Sequence, residues 1–540
     1  MNVKSEVRKE ALLPAMAAFF RAHAWLILAF SILAIVPCFW HPRIEAGDFG
    51  SHMYNAWLVQ LVQEGQAPPE LYLNTQFTNI LTDVSLLWAA KLVGFPACEK
   101  IVMPIFVLVF FWGMFALAAA ASRKIPWYLT PVMLAMTYGW TFHSGFINFY
   151  ISAGLSFLAI AAFWRGNLKE RIWTLVFSLL ICVAHPVGFV FFIGSAAYIV
   201  LKERLGGWRH LVLLPLALLV IYGVRLYFDH RYRTTYSHEP IYRFNGTDQL
   251  WLFGDHYGTL AWVLFFGSVA FVLWDWFWRR RAGKPFADFV VPLELYAIAF
   301  IGLLLLPSGV RTPQSFGFIP QRFTSVAAAF GIAAFACLNP KKWHLGFFSL
   351  IAVTFFSFLY KDTGDLNKMD EKIQALVAGI PFGSRVTYTL APPKGSRVSF
   401  NVHMIDRACI YHCFNYENYE ASMREFRLRV SGKNRFVAHD PTLRCFMEQG
   451  VYTVQPDDLP IYQIYRPKDA PNDLRIHELK PGEQNGEIGI RPPPSPMCWN
   501  MWGPYPKPAD WWEKYPNNND PPPPAFLRGA GAAPQGDGRK

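Results

Sequence analysis

The stretch IVMPIFVLVFFWGMFALAAAA, residues 101–121, decides the fold class, because it is long enough to cross a bilayer and contains no charged side chain. A transmembrane helix needs about 20 consecutive, mainly apolar residues. Other apolar runs follow along the chain. They cover residues 24–40, 147–164, 172–200, 210–228, 258–277, 289–306, 323–338 and 345–360. Together these runs predict an all-α polytopic membrane bundle with about eleven transmembrane helices.

The overall composition agrees with a membrane protein. Of the 540 residues, 53% are hydrophobic and 16% are charged, whereas an average soluble protein has about 25% charged residues. The formal net charge is +12. The basic residues form short clusters between the apolar runs and not one continuous face, so we expect no nucleic-acid partner.

The basic clusters set an orientation for the bundle. If the N-terminus is cytoplasmic, these clusters all fall on the cytoplasmic side, as the positive-inside rule requires. They are Arg123-Lys124, Arg165 with Lys169 and Arg171, Lys202 with Arg204 and Arg209, Arg279-Arg280-Arg281 with Lys284, and Lys341-Lys342. No small-residue cleavage pattern follows the first run, which predicts an uncleaved first helix. We therefore expect a multi-pass protein of the plasma (inner) membrane.

Hydropathy divides the chain into four regions. Residues 1–23 are expected to be a cytoplasmic N-terminus, and 24–360 a multi-spanning membrane domain with 41–99 as its first outer loop. Residues 361–491 are polar and are expected to form a small α+β domain outside the cytoplasm. The Pro-rich tail 492–540 is expected to be disordered. Three stretches of the exported domain have a strand-like composition: RVTYTL at 385–390, RVSFNV at 397–402 and GVYTV at 450–454.

Four of the cysteines lie in this polar C-terminal part. They are Cys409, Cys413, Cys445 and Cys498. In an exported domain these thiols could form two disulfides, and the sequence leaves their connectivity open. The spacing of Cys409 and Cys413 is a poor match to a zinc site, which also needs a second pair.

The first outer loop opens with EAGDFGSHMYNAW, residues 45–57, and predicts an amphipathic helix. Its apolar residues recur every four positions, which forms one stripe and indicates a helix on the membrane surface. The polar residues Asp48, Ser51, His52 and Asn55 lie at helical spacing on another face. Because Asp48 stands at the start of this helix, an N-cap is the structural alternative to a catalytic role.

Other outer ends of the predicted spans also carry polar residues. Asp83 lies in NILTDVSLLWAAKLVG, which predicts a second interfacial or re-entrant helix. The remaining candidates are His143, Asn148, His185, Arg311, Gln321 and Arg322. A single histidine is more often a packing residue than a ligand. As a group on one side of the membrane, these residues indicate a polar cleft, because ionisable groups near membrane depth usually face a cavity.

The order of these features resembles the GT-C class of membrane glycosyltransferases, which use polyprenyl-phosphate-linked sugars. The resemblance rests on an uncleaved first helix, an outer loop with the acidic residue of GDFGSHMYNAWLVQLVQEG, many spans and a C-terminal exported domain, and it covers roughly residues 20–360. In this class the acid of the first outer loop is a catalytic base or binds the acceptor. The resemblance gives that role to Asp48 and a second acidic role to Asp83. The chain departs from the common Asp-Glu pair, because Phe49 follows Asp48.

The chemistry of sugar transfer suggests roles for the other candidates. A carboxylate must accept the proton of the attacking acceptor hydroxyl, and arginines bind the departing lipid phosphate well. Arg311 and Arg322 are the candidates for the phosphate, although interface anchoring is an equal alternative for them. His52, His143, Asn148, His185 and Gln321 are further candidates for substrate binding. A divalent metal ion remains a candidate cofactor if folding brings Asp48, His52 and Asp83 together.

The expected partners of this glycosyltransferase are a lipid-linked sugar donor, membrane lipids, and a glycan, lipid or protein acceptor outside the cytoplasm.

Two alternative functions compete with this glycosyltransferase hypothesis. A glycan or lipid transporter or flippase would show inverted repeats and ionisable groups at the membrane midplane. A non-catalytic scaffold would tolerate loss of Asp48 and Asp83. The segment 403–430 is rich in Tyr, His, Asn and Arg, which indicates either packing of a small disulfide-bearing domain or docking over the cavity.

Overall fold

The chain is mostly helical in the computed structural model. The structure describes residues 12–492 apart from 206, 237–243, 283–288, 312–315, 340, 391–394, 424–425, 432–433, 435 and 439–440. Within this part, seven helices are long and apolar enough to cross a membrane: Arg21–Cys38, Phe95–Ser122, Ile147–Arg165, Pro186–Leu205, Leu213–Arg231, Asp255–Arg281 and Lys342–Ala378. The chain is therefore a helical, multi-pass type of protein, and the count of about eleven spans stays a prediction.

Fourteen α-helices lead from the N-terminal side to the polar C-terminal part among the residues that the structure describes. They are α1 (Leu12–Ile35), α2 (Phe49–Gln63), α3 (Leu81–Val93), α4 (Phe95–Ser122), α5 (Thr130–Thr137), α6 (Trp140–His143), α7 (Ile147–Arg165), α8 (Leu168–Ala184), α9 (Pro186–Leu205), α10 (Leu213–Arg231), α11 (Asp255–Arg281), α12 (Val290–Leu305), α13 (Ile319–Ala336) and α14 (Lys342–Ala378).

The apolar run 172–200 forms two helices, α8 and α9, that meet at His185. Pro186 has no N–H to continue the helical ladder, and it disfavours helical backbone at the preceding residue. His185 accordingly is extended, at φ −165° and ψ 131°. The hydroxyl of Ser152 in α7 contacts the carbonyl oxygens of Ile181 and His185 at 3.0 and 2.9 Å, which compensates for the broken ladder.

The basic ends of neighbouring helices contact one another. Arg171 of α8 lies 2.7 Å from the carboxylate of Glu203 in α9. Arg279 of α11 donates a 3.0 Å hydrogen bond to the carbonyl of Cys337, directly after α13. The basic clusters therefore lie at matching ends of these helices, and the positive-inside rule predicts that these ends face the cytoplasm together.

In its described stretches, the polar C-terminal part adds three short helices and most of the strands. They are α15 (Met404–Cys409), α16 (Tyr419–Met423) and α17 (Pro441–Glu448), with β4 (Arg385–Thr389), β5 (Phe414–Asn415), β6 (Leu428–Val430), β7 (Ile461–Tyr465) and β8 (Arg475–Glu478). In the sheet of order β5-β4-β7-β8, β4 is parallel to β5 and β7, while β8 is antiparallel to β7. A ribbon in the membrane part joins β2 (Arg233–Thr235) to β3 (Gly309–Arg311).

Two of the expected strands are absent from the places where the sequence suggested them. RVTYTL forms β4, but RVSFNV contains the 3-10 turn Phe400–His403. GVYTV makes only an isolated bridge between Thr453 and Gln484. Val398, Phe400 and Val402 alternate with polar residues as in a strand, but tertiary contacts outweigh this local preference. The chain turns here and brings His403 against the outer loop.

The C-terminal part is joined to the first outer loop and is not separated from it. The expected boundary at residue 361 falls inside α14, which continues as one helix to Ala378. Strand β1 (Leu71–Leu73) of the outer loop pairs with β6 in antiparallel register. Helix α2 is buried from Phe49 to Val59, so the expectation that it lies on the membrane surface is wrong. The apolar stripe packs inward, and the C-terminal part covers the polar face.

A buried charge cluster fixes this arrangement. Arg407 of α15 donates a 2.7 Å hydrogen bond to the carbonyl of Ile44 in the outer loop. Its guanidinium also lies near three carboxylates: Glu99 at 3.4 Å, Asp370 at 3.6 Å and Glu45 at 3.7 Å. Burial, together with the charge of Asp370, raises the pKa of Glu45 to about 8. The cluster connects the outer loop, α4, α14 and α15 at one point.

One disulfide, between Cys409 and Cys413, closes the end of α15. Cys445 is also disulfide-bonded, and Cys498 and the tail 493–540 lie outside the described residues. The sequence left the pairing open, and the structure bonds Cys409 to Cys413, which also excludes those two thiols from a zinc site.

Substitution of Gly50 should loosen the docked C-terminal part. A Cβ on Gly50 would lie 2.3 Å from the carbonyl oxygen of His403. We expect Gly50→Ala to lower the free energy of unfolding by about 1–3 kcal/mol, because a backbone atom must shift. Gly194→Ala is the matched control, since nothing lies within 4 Å of its Cβ position. Thermal unfolding in detergent checks this, and equal melting temperatures for the two variants would contradict the close contact.

Candidate active site

A cavity of about 370 Å³ lies where the non-basic ends of the bundle helices meet the C-terminal part. Its lining comes from the start of α2, the α6–α7 turn, the α8–α9 break, the start of α13 and the segment after residue 396. The polar lining that matters here is Asp48, His52, His185, Arg322, His403 and Tyr419. Five of the sequence candidates line it: Asp48, His52, Asn148, His185 and Arg322.

Asp48 stands directly before α2 but does not cap it, because its side chain makes no capping hydrogen bond. The Tyr419 hydroxyl instead lies 2.9 and 3.0 Å from the two carboxylate oxygens and donates to them. The α6–α7 turn fixes the backbone, since the N–H of Asp48 donates to the carbonyl of Ser144 at 3.1 Å. Gly145, at φ +80°, comes so close that a Cβ there would lie 2.2 Å from the Asp48 nitrogen. The carboxylate is therefore placed by the fold and is available to the cavity.

His52 lies one helical turn after Asp48 and connects it to Asp83. Its Nδ1 is 2.7 Å from Asp83 Oδ1, and its Nε2 is 4.0 Å from Asp48 Oδ2. Burial disfavours the charged form, but Asp83, together with Asp48 and Glu420, raises the pKa of His52 to about 10. His52 is thus an imidazolium that holds the two carboxylates of the outer loop together.

Asp83 lies in the first turn of α3 and reaches the cavity only through His52. Asn148 of α7 fixes the start of α3. Its Oδ1 accepts the Thr82 N–H at 2.7 Å, and its Nδ2 donates to the carbonyl of Asn79 at 3.0 Å. Asn148 therefore holds the start of the helix that carries Asp83, and it also lines the cavity.

A second histidine, which the sequence did not suggest, approaches Asp48 from the C-terminal part. His403 Nε2 lies 3.3 Å from Asp48 Oδ1, and His403 Nδ1 lies 2.7 Å from Asp406 Oδ2. The only sequence signal was the dense polar composition of 403–430 and the three-residue spacing of His403 and Asp406, which places two side chains on one helical face. Asp48 thus lies between two histidines, each of which is bound to a second carboxylate.

Arg322 is the cation of the cavity that lacks a carboxylate partner within the described residues. Its Nη1 donates to the carbonyl of Gly317 at 2.8 Å, and its buried Nε has no hydrogen-bond partner there. The guanidinium lies 4.4 and 4.3 Å from the ring centroids of Phe146 and Phe316. A cation held between aromatic faces keeps hydrogen-bond donors for an anion.

His185 adds a neutral donor beside this arginine. Its Nδ1 accepts the Val187 N–H at 3.2 Å, so Nε2 carries the proton. The pair Arg322 and His185 therefore offers charged and neutral N–H groups to an anionic ligand.

Two of the expected binding residues, His143 and Gln321, do not line the cavity, and the side chain of a third lies outside the described residues. His143 is buried outside the lining. Its Nδ1 donates to the carbonyl of Glu45 at 2.9 Å, and burial lowers its pKa to about 4. Gln321 is buried at the start of α13, where its backbone carbonyl oxygen accepts a 3.2 Å hydrogen bond from Gln249 Nε2. Arg311 ends β3, and its side chain lies outside the described residues. His143 and Gln321 thus support the walls and do not line the cavity.

The geometry does not favour the candidate metal ion. Asp48, His52 and Asp83 do converge, but they already bind one another. No group of three or more His, Cys, Asp or Glu side chains suited to a metal ion occurs in the part of the chain that the structure describes.

The chain matches no family model, no curated protein and no solved structure.

Proposed function

We propose that the chain is a membrane glycosyltransferase that moves a sugar from a polyprenyl phosphate carrier to an acceptor outside the cytoplasm. The observation that carries this proposal is that Asp48, a carboxylate, and Arg322, a cation without an ion-pair partner among the described residues, line one cavity. Glycosyl transfer from a lipid phosphate needs a base near the acceptor and a cation near the phosphate.

In the proposed reaction, Asp48 acts where the new bond forms and Arg322 acts where the bond to the phosphate breaks. An acceptor hydroxyl attacks the anomeric carbon and forms the new C–O bond, while the carboxylate of Asp48 takes its proton. The bond from the anomeric carbon to the phosphate oxygen breaks, and its electron pair leaves with the lipid phosphate. Arg322 and the neutral His185 then stabilise the added negative charge by charge-assisted and neutral hydrogen bonds.

The walls of the cavity suit a ligand with both a polar and an apolar part. Aromatic side chains from three separate regions line it: Trp140, Phe146, Phe149, Phe316, Phe318 and Phe426. Aromatic faces bind the apolar face of a sugar or the first units of a prenyl chain.

The proposed location follows from the two ends of the bundle. The basic clusters lie at the helix ends opposite to the cavity, which supports a plasma (inner) membrane protein with its N-terminus in the cytoplasm and its C-terminal part outside. The same distribution favours an enzyme over a transporter, because transporters keep their ionisable groups near the midplane.

Reconstitution tests the proposal directly. The purified full chain in liposomes is supplied with a panel of radiolabelled polyprenyl-phosphate sugars and with candidate glycan, lipid and protein acceptors. We expect release of free polyprenyl phosphate together with labelled acceptor. A flippase would move the labelled lipid between leaflets without releasing the phosphate, and a scaffold would do neither.

Loss of Arg322 should weaken donor binding. We expect Arg322→Gln to raise the KM for the lipid-phosphate donor by about 10- to 100-fold, because a hydrogen bond to a charged group contributes about 1.5–3 kcal/mol. Arg171→Gln, at the opposite end of the bundle, is the matched control, and its KM should stay at the wild-type value. Donor titrations of the initial rate measure this. An unchanged KM in Arg322→Gln would remove Arg322 from the site.

A further inference from the structure

The C-terminal part supplies one wall of the cavity, and that wall contains an arginine–carboxylate pair. Arg444 and Glu448 lie one helical turn apart in α17, and both line the cavity. The Nε of Arg444 is 3.3 Å from Oε1 of Glu448. The side chains keep exposed fractions of 13% and 23%, so the pair lies at the surface of the cavity and not deep in the protein.

This pair keeps hydrogen-bonding groups for a ligand. The Nε of Arg444 is buried and has no hydrogen-bond partner among the residues that the structure describes. A guanidinium donates several hydrogen bonds and a carboxylate accepts several. The single ion-pair contact between Arg444 and Glu448 therefore leaves donors and acceptors side by side in the cavity wall.

Tyr419 connects this pair to the proposed base. Its hydroxyl binds both carboxylate oxygens of Asp48, at 2.9 and 3.0 Å. The centroid of its ring lies 5.6 Å from the guanidinium carbon of Arg444. Asp48 and Arg444 therefore contact the same side chain, one at the hydroxyl and the other at the ring. A small ligand held by the pair can present a hydroxyl to Asp48.

The other arginines of the lining are placed differently. Arg322 has no carboxylate partner in the described part of the chain, which suits an anion. Arg397 lies 3.8 Å from Asp248, which does not line the cavity. In Arg444 and Glu448, by contrast, both charges line the cavity. A ligand at this place meets a positive and a negative group together.

Two further ionisable groups lie close to the pair, and each has partners of its own. Glu417 is buried outside the lining, where its Oε1 accepts hydrogen bonds from the Thr387 hydroxyl and, at 2.9 Å, from the Tyr388 N–H. His403 lines the cavity, and its Nδ1 lies 2.7 Å from Asp406 Oδ2. Neither group therefore replaces a member of the pair.

An ion pair in a cavity wall suits an uncharged ligand that both donates and accepts hydrogen bonds. Each hydroxyl of a sugar can donate to a carboxylate and accept from a guanidinium. An anionic ligand would be repelled by Glu448, a cationic one by Arg444, and an apolar chain would leave both charges without solvation. The ring of Phe426, 5.3 Å from that of Tyr419 and also in the lining, offers an apolar face for a sugar ring.

We propose that Arg444 and Glu448 form the acceptor subsite of the cavity, and that this subsite binds an uncharged, hydroxyl-rich glycan. The role of this subsite in transfer rests on the proposed function, and the inference narrows the three acceptor classes to one. Binding of the glycan itself is measurable without a donor. The C-terminal part is then the element that selects the acceptor.

Binding of oligosaccharides to the purified full chain in detergent tests the subsite. The probes are a panel of neutral oligosaccharides, matched oligosaccharides that carry uronic acids or phosphate groups, and short peptides that contain Ser and Thr. No lipid donor is present, and isothermal titration calorimetry gives each Kd. We expect a neutral oligosaccharide to bind more tightly than its charged counterparts and the peptides.

Variants of the pair should weaken this binding. We expect Arg444→Gln and Glu448→Gln each to raise the Kd of the neutral oligosaccharide by about 10- to 100-fold, because a hydrogen bond to a charged group is lost. Arg225→Gln is the matched control. The Nε of Arg225 also pairs with a carboxylate four residues later, Asp229, at 3.5 Å, outside the cavity lining. Arg225 also lies over a tyrosine ring, that of Tyr236, at 4.9 Å, and its variant should keep the wild-type Kd.

Sugar transfer by the same variants is the second readout. Glu448→Gln should raise the KM for the acceptor and leave the KM for the lipid-phosphate donor at the wild-type value. A displaced C-terminal part would not give this split, and thermal unfolding of each variant checks for it. Arg444→Lys keeps the charge and should retain part of the binding, so it keeps the test usable if Arg444→Gln unfolds.

The inference and the proposed function fail in different ways. The inference is overturned if no neutral oligosaccharide of the panel binds, if a charged oligosaccharide or a peptide binds more tightly, or if Glu448→Gln and Arg225→Gln have the same Kd. If a neutral oligosaccharide binds through the pair but the wild type transfers no sugar, the glycan site stands and the proposed function fails. If the wild type transfers sugar and the acceptor KM is unchanged in Glu448→Gln, the proposed function stands and the subsite is wrong.

Discussion

Asp48→Asn is expected to lower the rate of sugar transfer by about 10²- to 10⁴-fold, which is the range of a general base. Asparagine has the same shape, and its amide oxygen can still accept the hydrogen bond from Tyr419. The variant should therefore fold normally and bind the donor with an unchanged KM, because only the proton acceptor is lost. Release of polyprenyl phosphate by proteoliposomes, at several donor concentrations, separates kcat from KM.

The control for this experiment is a carboxylate of the same type outside the cavity. Asp365 is exposed on α14 and pairs with Lys368 at 2.9 Å, so Asp365→Asn should keep the wild-type rate. If Asp48→Asn transfers sugar as fast as Asp365→Asn, another group is the base and the proposed mechanism is wrong.

Arg407→Met is expected to give the largest loss of stability. Its guanidinium is buried against Glu45, Glu99 and Asp370 and also binds the Ile44 carbonyl. Removal of one partner from a buried ionic cluster costs about 3–5 kcal/mol, because the remaining charges stay buried without compensation. Methionine nearly fills the space, so the loss comes from the charge and not from a cavity.

Limited proteolysis and thermal unfolding in detergent measure this loss. The C-terminal part should be released first, so cleavage after residue 378 should precede cleavage in the bundle. Arg475→Met is the control, because Arg475 forms an exposed pair with Asp469 at 3.1 Å and exposed pairs contribute about 0–1 kcal/mol. Equal melting temperatures for the two variants would show that the cluster does not hold the C-terminal part.

Long apolar runs made the helical membrane class predictable from sequence, because transmembrane length and polarity are local properties. Local hydropathy did not predict that α2 of the outer loop is buried. The apolar stripe of α2 was visible, but its burial on all sides depends on the C-terminal part, which is more than 350 residues away in the chain. The break between α8 and α9 was detectable in part, because Pro186 marks it.

The sequence predicted a residue of the candidate site only where its type and its neighbours along the chain gave a signal. Asp48, His52 and Asp83 were each candidates from the sequence, and their convergence, which the sequence left open, is found in the fold. His403 and Asp406 were missed, because their contact with Asp48 joins two distant segments and no local spacing encodes it. His143 was a candidate by position, but a histidine near a cavity can equally serve a backbone carbonyl, as it does here with Glu45.

The most direct test of the central claim is photo-cross-linking with a polyprenyl phosphate that carries a photoreactive group next to its phosphate. The central claim is that Asp48 and Arg322 share one cavity that holds the lipid phosphate. We expect cross-links, mapped by peptide mass spectrometry, at cavity residues such as Phe146, Phe316 and Phe426, and their loss in Arg322→Gln. Cross-links confined to the apolar groove between α1 and α14, which Phe30 and Val353 line, would contradict the claim.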